Sequence, residues 1–290
     1  MLNSALMKAE QVPHLQGRDI RNLFLNYWEE LERNPGCIDL GMGMPPLSMF
    51  ENLLSASSKS AITSSNWRVE YQHQAGDKKL RKAIAQFEET NAKGICTAEN
   101  IMMTSGALRA FSLVLECLVQ EDTKIVEIVP TYPLSAGQVR MIVSNERITT
   151  VVPKDTDTFQ FSFDELAPHI RPSSIIYLTN PNNPTGKYIT SDLLEKVVEA
   201  CTRNGAYLVI DQASDIPLSD VIGDVSFLSS PYVIRIRSLA KNYLLAGLRL
   251  GYIVAHPHLI ELFSKSFSFS DGNAPCAAND AVIDYVSDPK

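Results

Sequence analysis

Short, nearly continuous apolar runs alternate along this chain with longer stretches in which apolar residues return every three or four positions. The first pattern predicts buried strands and the second amphipathic helices. Strands are expected at Asn100–Met103, Lys124–Ile128, Ile148–Val152, Ile175–Leu178, Tyr207–Ile210, Tyr232–Ile236 and Gly251–Val254. Helical spacing is expected over Gly17–Arg33, Lys78–Asn91, Ala107–Leu118, Asp192–Asn204 and the Ala-rich Ala277–Val286. Between the first two helices an extended Ile38-Asp39-Leu40 leads into Gly41-Met42-Gly43-Met44-Pro45, where glycines permit close backbone approach to a ligand. Apolar strands separated by amphipathic helices predict a mostly parallel sheet covered on both faces, a three-layer α/β/α sandwich. Ligands of such sheets bind beyond the carboxyl ends of the strands. Ser105, Tyr132, Asn180, Asp211 and Ser238 each follow a predicted strand, so one crevice is expected to collect them.

With 290 residues the chain suits one large domain, or one large domain and part of a second. Lys and Arg number 26 against 33 Asp and Glu, a formal charge of −7, and no basic stripe interrupts this balance. Nucleic acid and anionic membrane are therefore not expected partners, and a small molecule is. Met1–Val12 lacks the apolar centre of a signal peptide and no apolar run reaches membrane-spanning length, which predicts a cytoplasmic protein. Five cysteines, odd in number and without a CxxC pair, predict neither a disulfide framework nor structural zinc. Cys117 and Cys201 fall on helical stretches and are expected to pack as small buried hydrophobes. His256 and His258 flank Pro257 in an expected loop with no carboxylate cluster, so no metal site is assigned.

The candidate chemistry lies in an ordered set of segments. They are Thr104-Ser105-Gly106-Ala107-Leu108, Pro130-Thr131-Tyr132, Asn180-Pro181-Asn182-Asn183-Pro184-Thr185-Gly186, Asp211, Ser238-Leu239-Ala240-Lys241 and Ala246-Gly247-Leu248-Arg249-Leu250-Gly251-Tyr252. A pyridoxal-phosphate site needs an amine for the coenzyme's aldehyde, an acid facing its ring nitrogen, and cations with backbone amides around its phosphate. The set resembles the fold type I aminotransferases, in particular class I and II, from about Ile38 to about Val282.

That resemblance implies pyridoxal 5′-phosphate as cofactor and a transferase acting on an amino acid. It implies Lys241 as the Schiff-base lysine and as the base that moves the substrate's α-proton, and Asp211 as the acid at the ring nitrogen. Arg249 and Ser238 would hold the phosphate together with the backbone of Gly106, Ala107 and Leu108 at a helix N-terminus. Asn183 resembles the residue that bonds the ring hydroxyl, and Tyr132 the aromatic stacked on the coenzyme face. Tyr71, ahead of Gly76, resembles a tyrosine that reaches the phosphate across a homodimer interface, which implies shared active sites. Gly43 would offer its backbone near the substrate carboxylate.

The match departs from the family's pattern at two places. Family members carry a tyrosine three residues after the acid, where this chain has Ser214, a side chain too short to reach the same atom. Gln212 and Asp215 are expected to add polar groups at the ring edge. The chain stops at Asp288-Pro289-Lys290, where the family continues into a small C-terminal domain bearing the arginine for the substrate's α-carboxylate. The expected organisation is an N-terminal segment 1–45, a coenzyme-binding domain 46–275, and at 276–290 the start of a helix leading to that absent domain. The chain is then either a fragment or a shortened member of the family; if it is complete, weak or absent turnover is expected despite coenzyme binding. Elimination, side-chain cyclisation, decarboxylation and oxidation start from the same coenzyme chemistry and stay open, as does a non-catalytic remnant of the fold. Tyr243, Asp271 and Asn273 are expected in loops near the site, with no chemical reason to rank them.

Overall fold

A computed structural model of the chain describes residues 30, 32–34, 36, 72–91, 95–214, 230–242, 245–276 and 279–287. Gly43, Tyr71, Asp215 and Tyr243 lie outside these residues, as do Ile38–Leu40, the following glycine turn and most of the expected first helix. In the unit Met1–Pro45, Asn34 Nδ2 donates to the Glu30 carboxylate at 2.9 Å. Every element below belongs to the unit Pro46–Lys290.

The described residues form a seven-stranded sheet of β1 (Ile101–Thr104), β2 (Ile125–Ile128), β3 (Ile148–Val151), β4 (Ile175–Thr179), β5 (Tyr207–Gln212), β6 (Val233–Ser238) and β7 (Gly251–Ala255). Its order is β1-β7-β6-β5-β4-β2-β3. The strands from β3 to β6 run parallel, whereas β7 is antiparallel to both β6 and β1. The helices are α1 (Lys78–Asn91), α2 (Ala107–Leu118), α3 (Pro133–Ile142), α4 (Phe163–Leu166), α5 (Ser191–Asn204), α6 (Leu239–Asn242), α7 (Pro257–Ser270) and α8 (Asn279–Ser287).

Side chains of a strand alternate between faces, and the apolar runs accordingly feed two cores. Ile175 and Tyr177 of β4, Val209 of β5 and Ile234 and Ile236 of β6 pack with Phe111 and Val114 of α2, Val139 of α3 and Phe263 of α7. Their neighbours Ile176, Leu178, Leu208, Ile210 and Val233 pack with Leu166 of α4 and with Leu194, Val197 and Cys201 of α5. Burial on both faces is why these strands read as unbroken apolar runs. Only the edge strand β3 is partly exposed along most of its length among these strands.

Helix ends follow local chemistry. Thr190 caps α5 by accepting from the Leu193 amide at 3.4 Å, and Gly205 closes it in the left-handed region at φ 66°. The expected loop around His256 is instead a helix start. His256 caps α7, its Nδ1 accepting from the His258 amide at 3.3 Å, and Pro257 takes the first helical position, where a missing N–H loses nothing. Pro133 opens α3 in the same way after Tyr132. Cys201 is fully buried and its thiol is pushed up to about 12 by desolvation, whereas Cys117 is half-buried and packs against the edge of the first core.

A buried ionic cluster joins α1 to the sheet on the face opposite Ile234 and Ile236. Glu88 of α1 meets Arg235 Nη1 at 2.5 Å and Arg237 Nε at 3.2 Å, and accepts from the Tyr252 hydroxyl at 2.7 Å. Arg235 Nε also donates to Gln212 Oε1. All five residues are buried. Burial by itself would raise the Glu88 pKa, but Arg235, Arg237 and Tyr252 outweigh it and hold the carboxyl below its ordinary value.

Candidate active site

The antiparallel entry of β7 puts its first residue, Gly251, at the same sheet edge as the last residues of its neighbours. Gly251 pairs with Thr104 at the end of β1 and with Ser238 at the end of β6. Asp211 pairs with Ile236 across β5–β6 and with Thr179 across β4–β5, and its carbonyl accepts from the Asn180 amide at 2.9 Å. One carboxyl edge therefore carries Gly106, Gly251, Ser238, Asp211 and Asn180 side by side, as the crevice reading requires. Asp211 and Ser238 lie inside their strands, not after them, and Tyr132 sits at the cap of α3.

The segment after β1 makes an anion cradle. Gly106 is the N-cap of α2 at φ 90°, a conformation that only glycine adopts readily. A Cβ on Gly106 would lie 2.8 Å from Arg249 Nη2, so the guanidinium covers the first turn of α2. The backbone amides of Ala107 and Leu108 begin that helix, where orphan N–H groups and the helix dipole favour an anion. Arg249 is exposed and donates from Nη1 to the Ala246 carbonyl at 3.1 Å. Ser238 is buried, its Oγ accepting from the Ala240 amide at 3.1 Å.

Gly251 shows how tightly these parts fit. A Cβ there would lie 2.7 Å from Gly106 C, 2.8 Å from Ala107 N and 2.9 Å from Arg237 O, all backbone atoms. Gly251→Ala is expected to destabilise by about 1–3 kcal/mol through overpacking and to displace the start of α2. Urea midpoints and phosphate-competition titrations of the variant measure the two effects.

On the same face stands an acid. Asp211 is buried, its Oδ1 accepting from the Ala213 amide at 2.9 Å and its Oδ2 from the Tyr177 hydroxyl at 2.9 Å. Burial raises its pKa, and those two hydrogen bonds pull it back only in part. Lys241, on α6 and half-buried, has its pKa lowered by desolvation, which favours the neutral amine that nucleophilic and base chemistry needs. The phenol of Tyr132 feels both Asp211 and Arg249. Burial and Asp211 raise its pKa and Arg249 opposes them, so Tyr132 stands near both.

The asparagine-rich loop divides its work. Asn180 Oδ1 accepts from the Ile189 amide at 2.9 Å, and Asn182 bonds the Pro130 carbonyl at 3.1 Å, Thr179 Oγ1 at 2.9 Å and Thr185 Oγ1 at 2.8 Å. Both fix the loop. The side-chain amide of Asn183 bonds none of the described residues.

Two expectations change. Gln212 does not border the acid, because strand alternation sends its side chain to the opposite face, where Arg235 binds it. Asp271 is taken up by Arg109 at 2.7 Å and Asn273 by the Gln72 carbonyl at 2.6 Å, so both brace the scaffold. Ser214 occupies the turn after β5, half-buried. Tyr177 escaped the sequence reading, although a tyrosine inside a fully buried strand needs a partner for its hydroxyl and thereby announces a polar neighbour. Among the described residues no group of three His, Cys, Asp or Glu is placed to hold a metal, and no helix is long and apolar enough to cross a membrane.

A phosphorylated coenzyme with an aldehyde and a basic ring nitrogen fits this donor set: a cation and helix amides for the phosphate, a buried acid for the ring, and a partly desolvated amine.

The structure resembles the aspartate aminotransferase of Thermotoga maritima with a TM-score of 0.81 at 18% identity, covering 97% of this chain and 74% of that one. It resembles the aspartate aminotransferase of Thermus thermophilus with maleate with a TM-score of 0.79 at 20% identity, covering 91% and 69%. These likenesses show the fold. In sequence, 183 residues are 33% identical to a histidinol-phosphate aminotransferase of Haemophilus influenzae, covering 60% of this chain and 48% of that protein. An aspartate aminotransferase of Pyrococcus horikoshii is 22% identical over 288 residues, covering 96% and 70%. The chain thus spans about half the length of the curated histidinol-phosphate aminotransferases it matches. The family model for aminotransferase class I and II matches residues 35–287, across the whole of the sheet edge that carries the site. On that span the chain belongs to the class I and II aminotransferases, transferases of fold type I that use pyridoxal 5′-phosphate.

Proposed function

We propose that this chain binds pyridoxal 5′-phosphate covalently through Lys241 and serves transfer of an amino group from an amino acid. The observation that carries the reading is the convergence on one sheet edge of Asp211, Ser238, and Arg249 over the start of α2, with Lys241 three residues beyond Ser238. When bound, the coenzyme supplies a protonated ring that draws off the charge left when a bond at the substrate's α-carbon breaks. Asp211 keeps the ring nitrogen protonated, and Lys241 Nζ takes and returns the α-proton. Arg249, Ser238 and the amides of Ala107 and Leu108 hold the phosphate, Tyr132 covers the ring face, and Asn183 bonds the ring hydroxyl. A homodimer in the cytoplasm, with Tyr71 and Gly43 completing a shared site, belongs to the same reading.

The likeness to histidinol-phosphate and aspartate aminotransferases makes aspartate the first amino acid to try within a wider panel, with histidinol phosphate, a phosphorylated amino alcohol, tried beside it. Purified chain mixed with pyridoxal phosphate is expected to develop a visible absorbance band. Donor addition is expected to convert it to the pyridoxamine spectrum with release of one carbonyl product. A band that returns unchanged while product accumulates would instead indicate elimination or cyclisation, and no band at all would end the coenzyme reading for this chain.

A further inference from the structure

This inference rests on the reading just given and concerns a residue that it leaves unassigned. Tyr177 is 1% exposed, and its ring packs on Phe111 of α2 with centroids 4.5 Å apart and planes tilted by 32°. Its backbone pairs with Val209, two residues before Asp211, so Tyr177 and Asp211 share a face of the sheet. The hydroxyl donates to Asp211 Oδ2 at 2.9 Å, and the Ala213 amide donates to Oδ1 at 2.9 Å. Each carboxylate oxygen is thus held by one protein donor and keeps a lone pair for a ligand. Tyr132 at the cap of α3 also acts on Tyr177, and Arg249 acts on Tyr132. Ser135 Oγ, buried on α3, lies beside the Tyr177 hydroxyl.

An ionised carboxylate in a buried site needs hydrogen bonds to stay charged. The Tyr177 hydroxyl is the side-chain donor this one has among the described residues. We propose that Tyr177 is a positioning residue: its hydroxyl holds the Asp211 carboxylate ionised and in one orientation, ready to meet the ring nitrogen of the coenzyme.

The test compares wild type, Tyr177→Phe, Asp211→Asn and the double variant. Affinity for pyridoxal phosphate, read from visible absorbance, is expected to fall about tenfold or more in Tyr177→Phe, the effect of losing a hydrogen bond to a charged group. In the Asp211→Asn background the same change is expected to cost less than about twofold, because the partner is no longer charged. In the coenzyme-free chain the carbon-13 carboxyl signal of Asp211 is expected to titrate at higher pH in Tyr177→Phe than in wild type. Unchanged affinity, equal losses in both backgrounds, or an unmoved carboxyl titration would overturn the proposal and leave Tyr177 as packing alone. A visible band missing from all four proteins would instead withdraw the functional reading and the coenzyme role of Tyr177 with it. The carboxyl titration still reports the Tyr177–Asp211 bond in that case.

Discussion

Glu88→Ala is expected to lower the unfolding free energy of the chain by about 3–5 kcal/mol, the range for removing one partner from a buried ion pair. The reason is what the substitution leaves behind. Arg235 and Arg237 are 3% and 2% exposed, so the charge that Glu88 balances has little water to turn to. Gln212 and Tyr252 also belong to the cluster, and Gln212 and Arg237 sit next in sequence to Asp211 and Ser238. The loss is therefore expected to reach coenzyme affinity as well as stability. The pH dependence has a definite sign. The folded Glu88 pKa lies below its ordinary value, so its stabilisation is fully present above the unfolded carboxyl pKa and is lost as pH falls through the folded one. Urea unfolding followed by circular dichroism should accordingly show a large gap between wild type and Glu88→Gln at pH 7 that narrows in acid. Glu261→Gln makes the control. Its partner Lys265 lies one helical turn away at 2.6 Å on an exposed face, where screening leaves a single ion pair with no measurable effect.

Lys241→Ala is expected to abolish covalent retention of the coenzyme without unfolding the chain. Borohydride treatment of the loaded wild type should fix label on the peptide containing Lys241, and the variant should carry none. Any amino-group exchange is expected to fall by about 10²–10⁴-fold, the contribution typical of a positioned acid–base group. The fold should tolerate the change because desolvation already disfavours the charged amine at this position. Equal thermal midpoints for the coenzyme-free proteins, beside lost label, would separate a chemical role from a structural one. Label that persists in Lys241→Ala would move the attachment point to another lysine and undo the assignment.

Periodicity made much of this architecture legible. Lys78–Asn91 and Ala107–Leu118 are helices with the bounds their apolar spacing predicts, and each predicted strand is present within a residue or two at its ends. The reversed direction of β7 was not legible, because a doubly buried strand is apolar throughout whichever way it runs. Pro257-His258 looked like a loop, since proline both ends helices and begins them. The Leu259, Ile260, Phe263, Phe267 spacing carried the correct signal. The ordered set of motifs pointed to Asp211 and Arg249, and the structure brings both to one sheet edge. The position of Gln212 is not legible because the apolar run ends at Ile210, two residues short of the end of β5, which hides the alternation that separates neighbouring side chains. Tyr177 stayed hidden because its role depends on a register between strands thirty-odd positions apart in sequence, which no local pattern records.

The division of each central strand between two cores gives the site an address by parity. In β4 and β5 the odd-numbered positions 175, 177, 209 and 211 face the side of α2, and the even-numbered 176, 178, 208 and 210 face α5. A combinatorial library confined to the even set can be screened for thermal tolerance while the face that carries Asp211 stays constant. One confined to the odd set probes ligand preference while the α5 layer keeps the scaffold folded. A single-residue insertion in either strand would exchange the two sets beyond it, which leaves these strands little room for length variation during evolution.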